Sequence, residues 1–237
     1  MRVCYFRPYD LKTNISPLIK NPRLFFKYLR REKNLANFLG LEKSAVEVYL
    51  RQADQITRTM LRLTENTELG TMLSPLRGPI IYVCTRALKP TVMVETGVAS
   101  GSSTRYILQA MESNGRGTLY SIDLPNIGKG ALIPEGREVG WLVPPRLKYR
   151  WRLILGRSQD ELPPLLRRLK NIDVFLHDSE HTYKTMMFEY ETVWLYLREG
   201  GLLLSDDIHW NKAFLRFIRK TKPKRWIAFD GLGATIK

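Results

Sequence analysis

Cysteine is nearly absent from this 237-residue chain: Cys4 and Cys84 stand alone, with no CxxC pair and no clustered His/Cys ligands. That excludes a disulfide framework and gives no support to a structural zinc site. Histidine is almost as scarce, three in all, so the position of each one carries information. No apolar run reaches the roughly 18–20 residues that span a bilayer. The opening MRVCYFRPYDLKTN lacks the basic-then-apolar build of a secretory signal, which makes the cytoplasm the expected compartment. Acidic residues are in deficit, 23 against 38 Lys and Arg, for a net charge of +15. The basic excess is densest in residues 1–33 and 212–225. Such a surface gathers anionic partners, nucleic acid or acidic lipid among them, or is a plain solvated face; charge alone leaves both open. Hydrophobic content of 44% and charged content of 26% fit an ordered soluble chain.

The length suits one α/β catalytic domain preceded by an extension. Residues 1–78 are expected to form that N-terminal helical extension, an acceptor pocket or a dimer contact, and residues 79–237 the ligand-binding domain. Within the extension, residues 21–39 have helical character, with Pro22 suited to a first turn and Leu24, Phe25, Tyr28, Leu29, Leu35 and Phe38 roughly at helical spacing. Residues 44–64 predict a stronger amphipathic helix, with Ser44 and Glu47 in capping-box spacing. Residues 71–79 look like a linker, and 80–88 a short helix.

From residue 91 the rhythm changes. Strands are predicted at TVMVE, GTLYSID, residues 150–155, IDVFLHD and GGLLLSDD, alternating with helices over about 102–113, 160–169, 181–197 and 211–220. RWIAFD and LGATIK close the chain as two strands around a glycine. Alternation with short connections implies a Rossmann-like, doubly wound, mostly parallel seven-stranded sheet, and the tight final turn makes its last two strands an antiparallel hairpin.

Open parallel sheets bind ligands at the carboxyl ends of their strands. The first strand runs into Glu95-Thr96-Gly97-Val98-Ala99-Ser100-Gly101-Ser102-Ser103. Gly97 and Gly101 would let the backbone approach a ligand, and the following helix offers free N–H groups to a carboxylate. Glu95 can accept from a ligand amine or from the loop, and Asp123, ending the second strand, can hold ribose hydroxyls. A dinucleotide fold has the same outline, but the loop here is GVASG and not GxGxxG.

VETGVASGSST, LYSIDLP, GRSQDELPPL, IDVFLHDSEHTY and EGGLLLSDDI stand in the order of class I methyltransferases that use S-adenosyl-L-methionine. Over residues 79–237 the chain resembles the branch with catechol, caffeoyl-CoA and macrocin-type O-methyltransferases. That resemblance implies Glu95 and Gly97 along the methionine part of the donor, Ser103 near its carboxylate and Asp123 on the ribose. It also implies Ser158 and Gln159 at the adenine and Asp178 beneath the sulfonium. Ser158 could equally cap the next helix, with Glu161 three residues on.

Asp178 and the Asp206-Asp207 pair lie at neighbouring strand ends, where three carboxylates repel unless neutralised. Magnesium bound by Asp178, Asp206 and Asp207 is the expected solution, as the resemblance also implies, although catechol-type enzymes have Asp-Asn at the second position. The alternative is that one of the pair merely caps a helix. O-methylation also needs a base for the acceptor hydroxyl. His181, three residues past Asp178, is the first candidate, His209 the second, and His177, inside an apolar strand, a structural neighbour. Residues 124–147 make a long, Gly/Pro-rich connection containing Trp141, readable as a mobile lid or a surface excursion. The expected function is metal-assisted O-methylation of a small hydroxylated acceptor: sugar, phenol or lipid-linked headgroup. The rivals are an RNA methyltransferase, for which no Asn/Asp-Pro-Pro-aromatic tetrad is present, and a donor-binding protein whose basic PRLFFKYLRR helix rests on anionic lipid.

Overall fold

A computed structural model describes residues 22–64, 76–125 and 133–237, with side chains of the first helix from residue 31 onward. Cys4, much of the linker and part of the connection after Asp123 therefore lie outside the described residues, as do the side chains of Leu24, Phe25, Tyr28 and Leu29.

Seven strands form one sheet in the order β3-β2-β1-β4-β5-β7-β6. They are β1 (Val92–Thr96), β2 (Thr118–Asp123), β3 (Trp151–Leu155), β4 (Ile172–His177), β5 (Leu197–Ser205), β6 (Arg225–Phe229) and β7 (Leu232–Ile236). The first five pair in parallel, and β7 runs antiparallel between β5 and β6. The strand order reverses between β1 and β4, which is where such a sheet opens a crevice.

Side-chain alternation sends each central strand's residues to two separate cores. Met93, Val174, Leu176, Leu202 and Leu204 pack on one face, Val94, Phe175 and Leu203 on the other. The second face is covered by α5 (Ser158–Leu169), α6 (Tyr183–Tyr196) and α7 (Ala213–Thr221). The first is covered by α3 (Gly78–Leu88) and α4 (Ser102–Asn114), together with α1 (Pro22–Leu39) and α2 (Lys43–Thr64). Leu35, Phe38, Val46, Ala53, Ile56 and Met60 belong to the same core as the sheet, so the described N-terminal helices complete the fold. No described helix is long and apolar enough to cross a membrane.

Several boundaries differ from the sequence reading. Helix α2 starts at Lys43, not at Ser44, and the Glu42 carbonyl accepts the backbone N–H groups of Ala45 and Val46. Glu47 pairs with Lys43 at 3.0 Å instead of closing a capping box. Helix α6 begins only at Tyr183, because the Thr182 hydroxyl caps it through the N–H of Thr185. His181 is therefore left in the loop. Strand β5 starts at Leu197, directly after α6. Its register with β4 jumps from Ile172↔Leu197 to Val174↔Leu202, a bulge that places Gly200-Gly201 inside a strand they were expected to begin.

Candidate active site

The loop after β1 is built around Asp123. One of its carboxylate oxygens accepts the backbone N–H of Val98 at 3.1 Å and of Ala99 at 2.6 Å, and the other accepts that of Leu124 at 2.8 Å. The end of β2 thereby fixes the turn after β1. Gly97 has φ +85° and lies so close to β4 that a Cβ would stand 1.9 Å from the Asp178 carbonyl oxygen. Only glycine fits there. Gly101, φ +88°, is packed against Gly140, whose Cα would lie 2.8 Å from an added Cβ.

The connection from β2 to β3 is pinned where it is described. Gly140 donates its N–H to the Ala99 carbonyl at 2.8 Å and Leu142 to that of Ser100 at 2.9 Å, so this stretch is docked on the glycine loop. Arg137 lies 4.9 Å from the centre of the Trp141 ring. Residues 126–132 lie outside the described part.

Glu95 and Ser103 are given to each other. Both are buried, and Ser103 donates to Glu95 at 2.7 Å, with Thr104 and Ser121 each donating to its other oxygen at 2.8 Å. Burial nonetheless pushes the Glu95 carboxyl up to about 7, against the pull of these three hydroxyls. On the other side of the sheet, Ser158 is the first residue of α5 and not its cap. Its hydroxyl helps hold the nearby Glu189 carboxyl below the ordinary range. Gln159 donates to the Thr185 hydroxyl at 3.1 Å.

At the reversal between β1 and β4 the acidic strand ends assemble. Asp178 hangs from β1 by its N–H to the Thr96 carbonyl, and Asp206 from β4 by its N–H to the His177 carbonyl, both 2.8 Å. Burial, then Asp206, Glu95 and Asp207, raise the Asp178 carboxyl well above the ordinary aspartate range. His181 Nε2 lies 3.6 Å from Asp207 Oδ2 and 4.0 Å from Asp178 Oδ1. Burial, then the neighbouring His177, lowers its pKa to about 4, so it is a neutral imidazole at neutral pH. Trp210, largely exposed, flanks it with 5.2 Å between ring centres. His209 is mostly exposed and 3.9 Å from Asp207 Oδ1.

Two residues that the sequence reading missed organise this cluster. Glu189, buried in α6, accepts from Thr96 and from His177 Nδ1 at 2.6 Å each, and from Ser179 at 2.7 Å. Burial opposes its charge, but His177 and the hydroxyls hold its carboxyl below the ordinary range. Its signal was an acid on the buried Met186–Tyr190–Val193 face of its helix. The other is Arg77, in the stretch read as a linker. Its Nη1 donates to Asp206 Oδ1 at 2.7 Å and to Asp207 Oδ1 at 2.8 Å, and its Nε to the Asp230 carbonyl at 2.8 Å.

Arg77 bears on the magnesium expected at Asp178, Asp206 and Asp207. Two of those three carboxylates already share one guanidinium nitrogen. A magnesium ion bonds such oxygens at about 2.1 Å. Beside a resident guanidinium about 4 Å away it would meet a repulsion on the order of 8 kcal/mol at an effective dielectric of about 20. Among the described residues no group of three His, Cys, Asp or Glu is disposed to hold a metal ion. The residues as arranged do not fit the expected ion, because a side chain already supplies the countercharge.

They do fit a cationic adenosyl donor. Buried Ser100 Oγ, Trp141 Nε1, His177 Nε2 and His181 Nδ1 find no partner among the described residues. All four belong to the glycine loop, the segment docked on it or the β4 end, and the first turn of α4 adds N–H groups that no preceding helical carbonyl can take.

Residues 94–208 match the family model described as a methyltransferase domain. The matched stretch runs from within β1 to just past β5 and holds the glycine loop and the acidic strand ends. Among solved structures, the chain resembles a Staphylococcus aureus protein assigned to the caffeoyl-CoA O-methyltransferases, at TM-score 0.59 and 14% identity over 82% of this chain and 98% of that one. Cofactor-bound Rv0187 from MTB follows at TM-score 0.56 and 16% identity, over 91% and 97%. The chain spans only 46% of the length of MycE, a mycinamycin-pathway methyltransferase in complex with Mg, SAH and mycinamycin VI; the TM-score is 0.48 and the identity 15% over 65% of this chain. No curated protein matches the sequence.

Proposed function

We propose that this chain transfers the methyl group of S-adenosylmethionine to a hydroxyl of a small acceptor. The observation that carries the reading is the placement of His181 between Asp178 and Asp207, at the sheet opening where the glycine loop also ends. The likeness to a protein of the caffeoyl-CoA O-methyltransferase group supports oxygen as the nucleophile. In this reading Gly97 and Gly101 let the loop approach the donor, the first turn of α4 takes its carboxylate, Asp123 holds its ribose, and Ser158 and Gln159 meet its adenine. Asp123 both shapes the loop and retains lone pairs for ribose hydroxyls. When bound, the donor supplies an electrophilic methyl on a positively charged sulfur. Glu95 reaches it through its field and through Ser103, not by direct contact.

The chain's own work is alignment and proton removal. His181, neutral at physiological pH, accepts the acceptor hydroxyl proton at Nε2, and Asp207 stabilises the imidazolium that results. His209, more exposed, serves the same carboxylate from the solvent side. A His181→Asn variant should lose on the order of 10²-fold or more in turnover while keeping its affinity for S-adenosylhomocysteine. Undiminished methyl transfer by that variant would remove His181 from the mechanism.

One observation favours a second acceptor class. Arg216, Arg219, Lys220, Lys222, Lys224 and Arg225 lie exposed along α7 and the start of β6 beside exposed Trp226, a surface suited to a polyanion such as RNA or an acidic lipid headgroup. Methyl incorporation compared between small hydroxylated compounds and RNA, at low and high salt, separates the two. The N-terminal helices enclose the acceptor side in this reading, through the Arg77 that follows them, or provide a homodimer contact. The cytoplasm remains the proposed compartment.

A further inference from the structure

We propose that Arg77 is the resident cation of this active site, its guanidinium holding the position between Asp206 and Asp207 that a divalent ion would otherwise take. Three features fix it there. Nη1 is shared between Asp206 and Asp207, both largely buried, at 2.7 and 2.8 Å. Nε is anchored on the Asp230 carbonyl, in the turn between β6 and β7. The Arg77 carbonyl receives the N–H groups of Ile80 and Ile81, so its backbone is the start of α3. The turn is shaped around the side chain: a Cβ at Gly231 would stand 2.5 Å from Nη2. An arginine held at its backbone, its Nε and its Nη1 is built in, and is not a loose surface side chain that leaves when an ion arrives.

The chemical consequence is specific. A fixed guanidinium offers hydrogen bonds and one positive charge, without the ligand exchange by which a metal takes up an acceptor oxygen. Nη2 donates to no other described residue and is the donor left for the acceptor. Its geometry suits a hydroxyl next to a second oxygen, carbonyl or carboxylate, that can receive a planar N–H group. This last consequence rests on the methyltransferase reading, whereas the claim about ion binding does not.

Manganese titration followed by electron paramagnetic resonance of the free ion tests it directly on the whole chain. The wild-type protein should hold no ion at this site up to about 1 mM, weaker than the sites that cation-binding proteins build from oxygen ligands. Arg77→Ala or Arg77→Met, with folding verified by circular dichroism, should bind one ion at least about tenfold more tightly than wild type. Adding Asp206→Asn to either should abolish that gain. Methyl transfer by wild type should be unchanged by a chelator. A manganese ion bound by wild type and lost in Asp206→Asn would overturn the proposal, as would a folded Arg77 variant that gains no ion, or turnover that a chelator abolishes and magnesium restores. Should both Arg77 variants unfold, the wild-type and Asp206→Asn titrations decide alone. Calorimetry with S-adenosylhomocysteine, run in parallel, reports on the donor reading independently of either ion result.

Discussion

Replacing Glu95 by glutamine should make the protein more stable relative to wild type as the pH rises. Glu95 is fully buried, and its carboxyl is raised from 4.5 to about 7. Below pH 4.5 the proton is bound in both folded and unfolded chains, and nothing is lost. Between 4.5 and about 7 the unfolded chain releases it while the folded chain holds it, so stability falls with pH across that window. At about 1.4 kcal/mol per pH unit, the ionised side chain costs the fold about 3 kcal/mol above pH 7. Glutamine has the same shape and does not titrate. Its amide requires hydroxyl partners to reverse roles, and the Ser121 hydroxyl already accepts Trp151 Nε1 at 2.9 Å, so a pH-independent penalty of about 1 kcal/mol accompanies the change. The pH dependence is the diagnostic part. Urea unfolding of both proteins at pH 5 and pH 8 should show the difference moving by about 2–3 kcal/mol in favour of Glu95→Gln. A difference that stays within about 0.5 kcal/mol across that range would show that Glu95 is not a buried acid titrating near neutrality.

Gly97→Ala should cost at least about 3 kcal/mol and abolish donor binding, since a left-handed residue gains a Cβ 1.9 Å from the Asp178 carbonyl oxygen just past β4; thermal unfolding and calorimetry check both. Glu189→Ala should destabilise the protein by about 3–5 kcal/mol, because Thr96, His177 and Ser179 all lose their acceptor. Its carboxyl lies below the ordinary range in the folded state, so its contribution is present above the unfolded value and lost as pH falls through the folded one. A Glu189→Gln variant should accordingly show a shallower acid-unfolding transition than wild type.

The sheet was legible because β-branched and apolar runs such as TVMVE and IDVFLHD end at glycine or acid, and the hairpin at Gly231 forces an antiparallel pair. Asp123, Asp178, Asp206 and Asp207 could be picked out because each ends a strand. What stayed hidden depends on long-range contact. Arg77 stands 129 residues from Asp206 with no local pattern around it, so the same strand-end acids read as a metal site. Gly200-Gly201 were expected to begin β5, whereas the bulge against β4 lets the strand start earlier, at Leu197. Ser103 appeared free for a ligand, and only the packed structure turns it back onto Glu95.

The most direct test is isothermal calorimetry of the folded protein with S-adenosylhomocysteine. One molecule should bind per chain with a measurable heat, and Gly97→Ala should not bind it. Well-folded wild-type protein giving no heat with either this compound or S-adenosylmethionine would contradict the assignment of the strand-end crevice to a methyl donor.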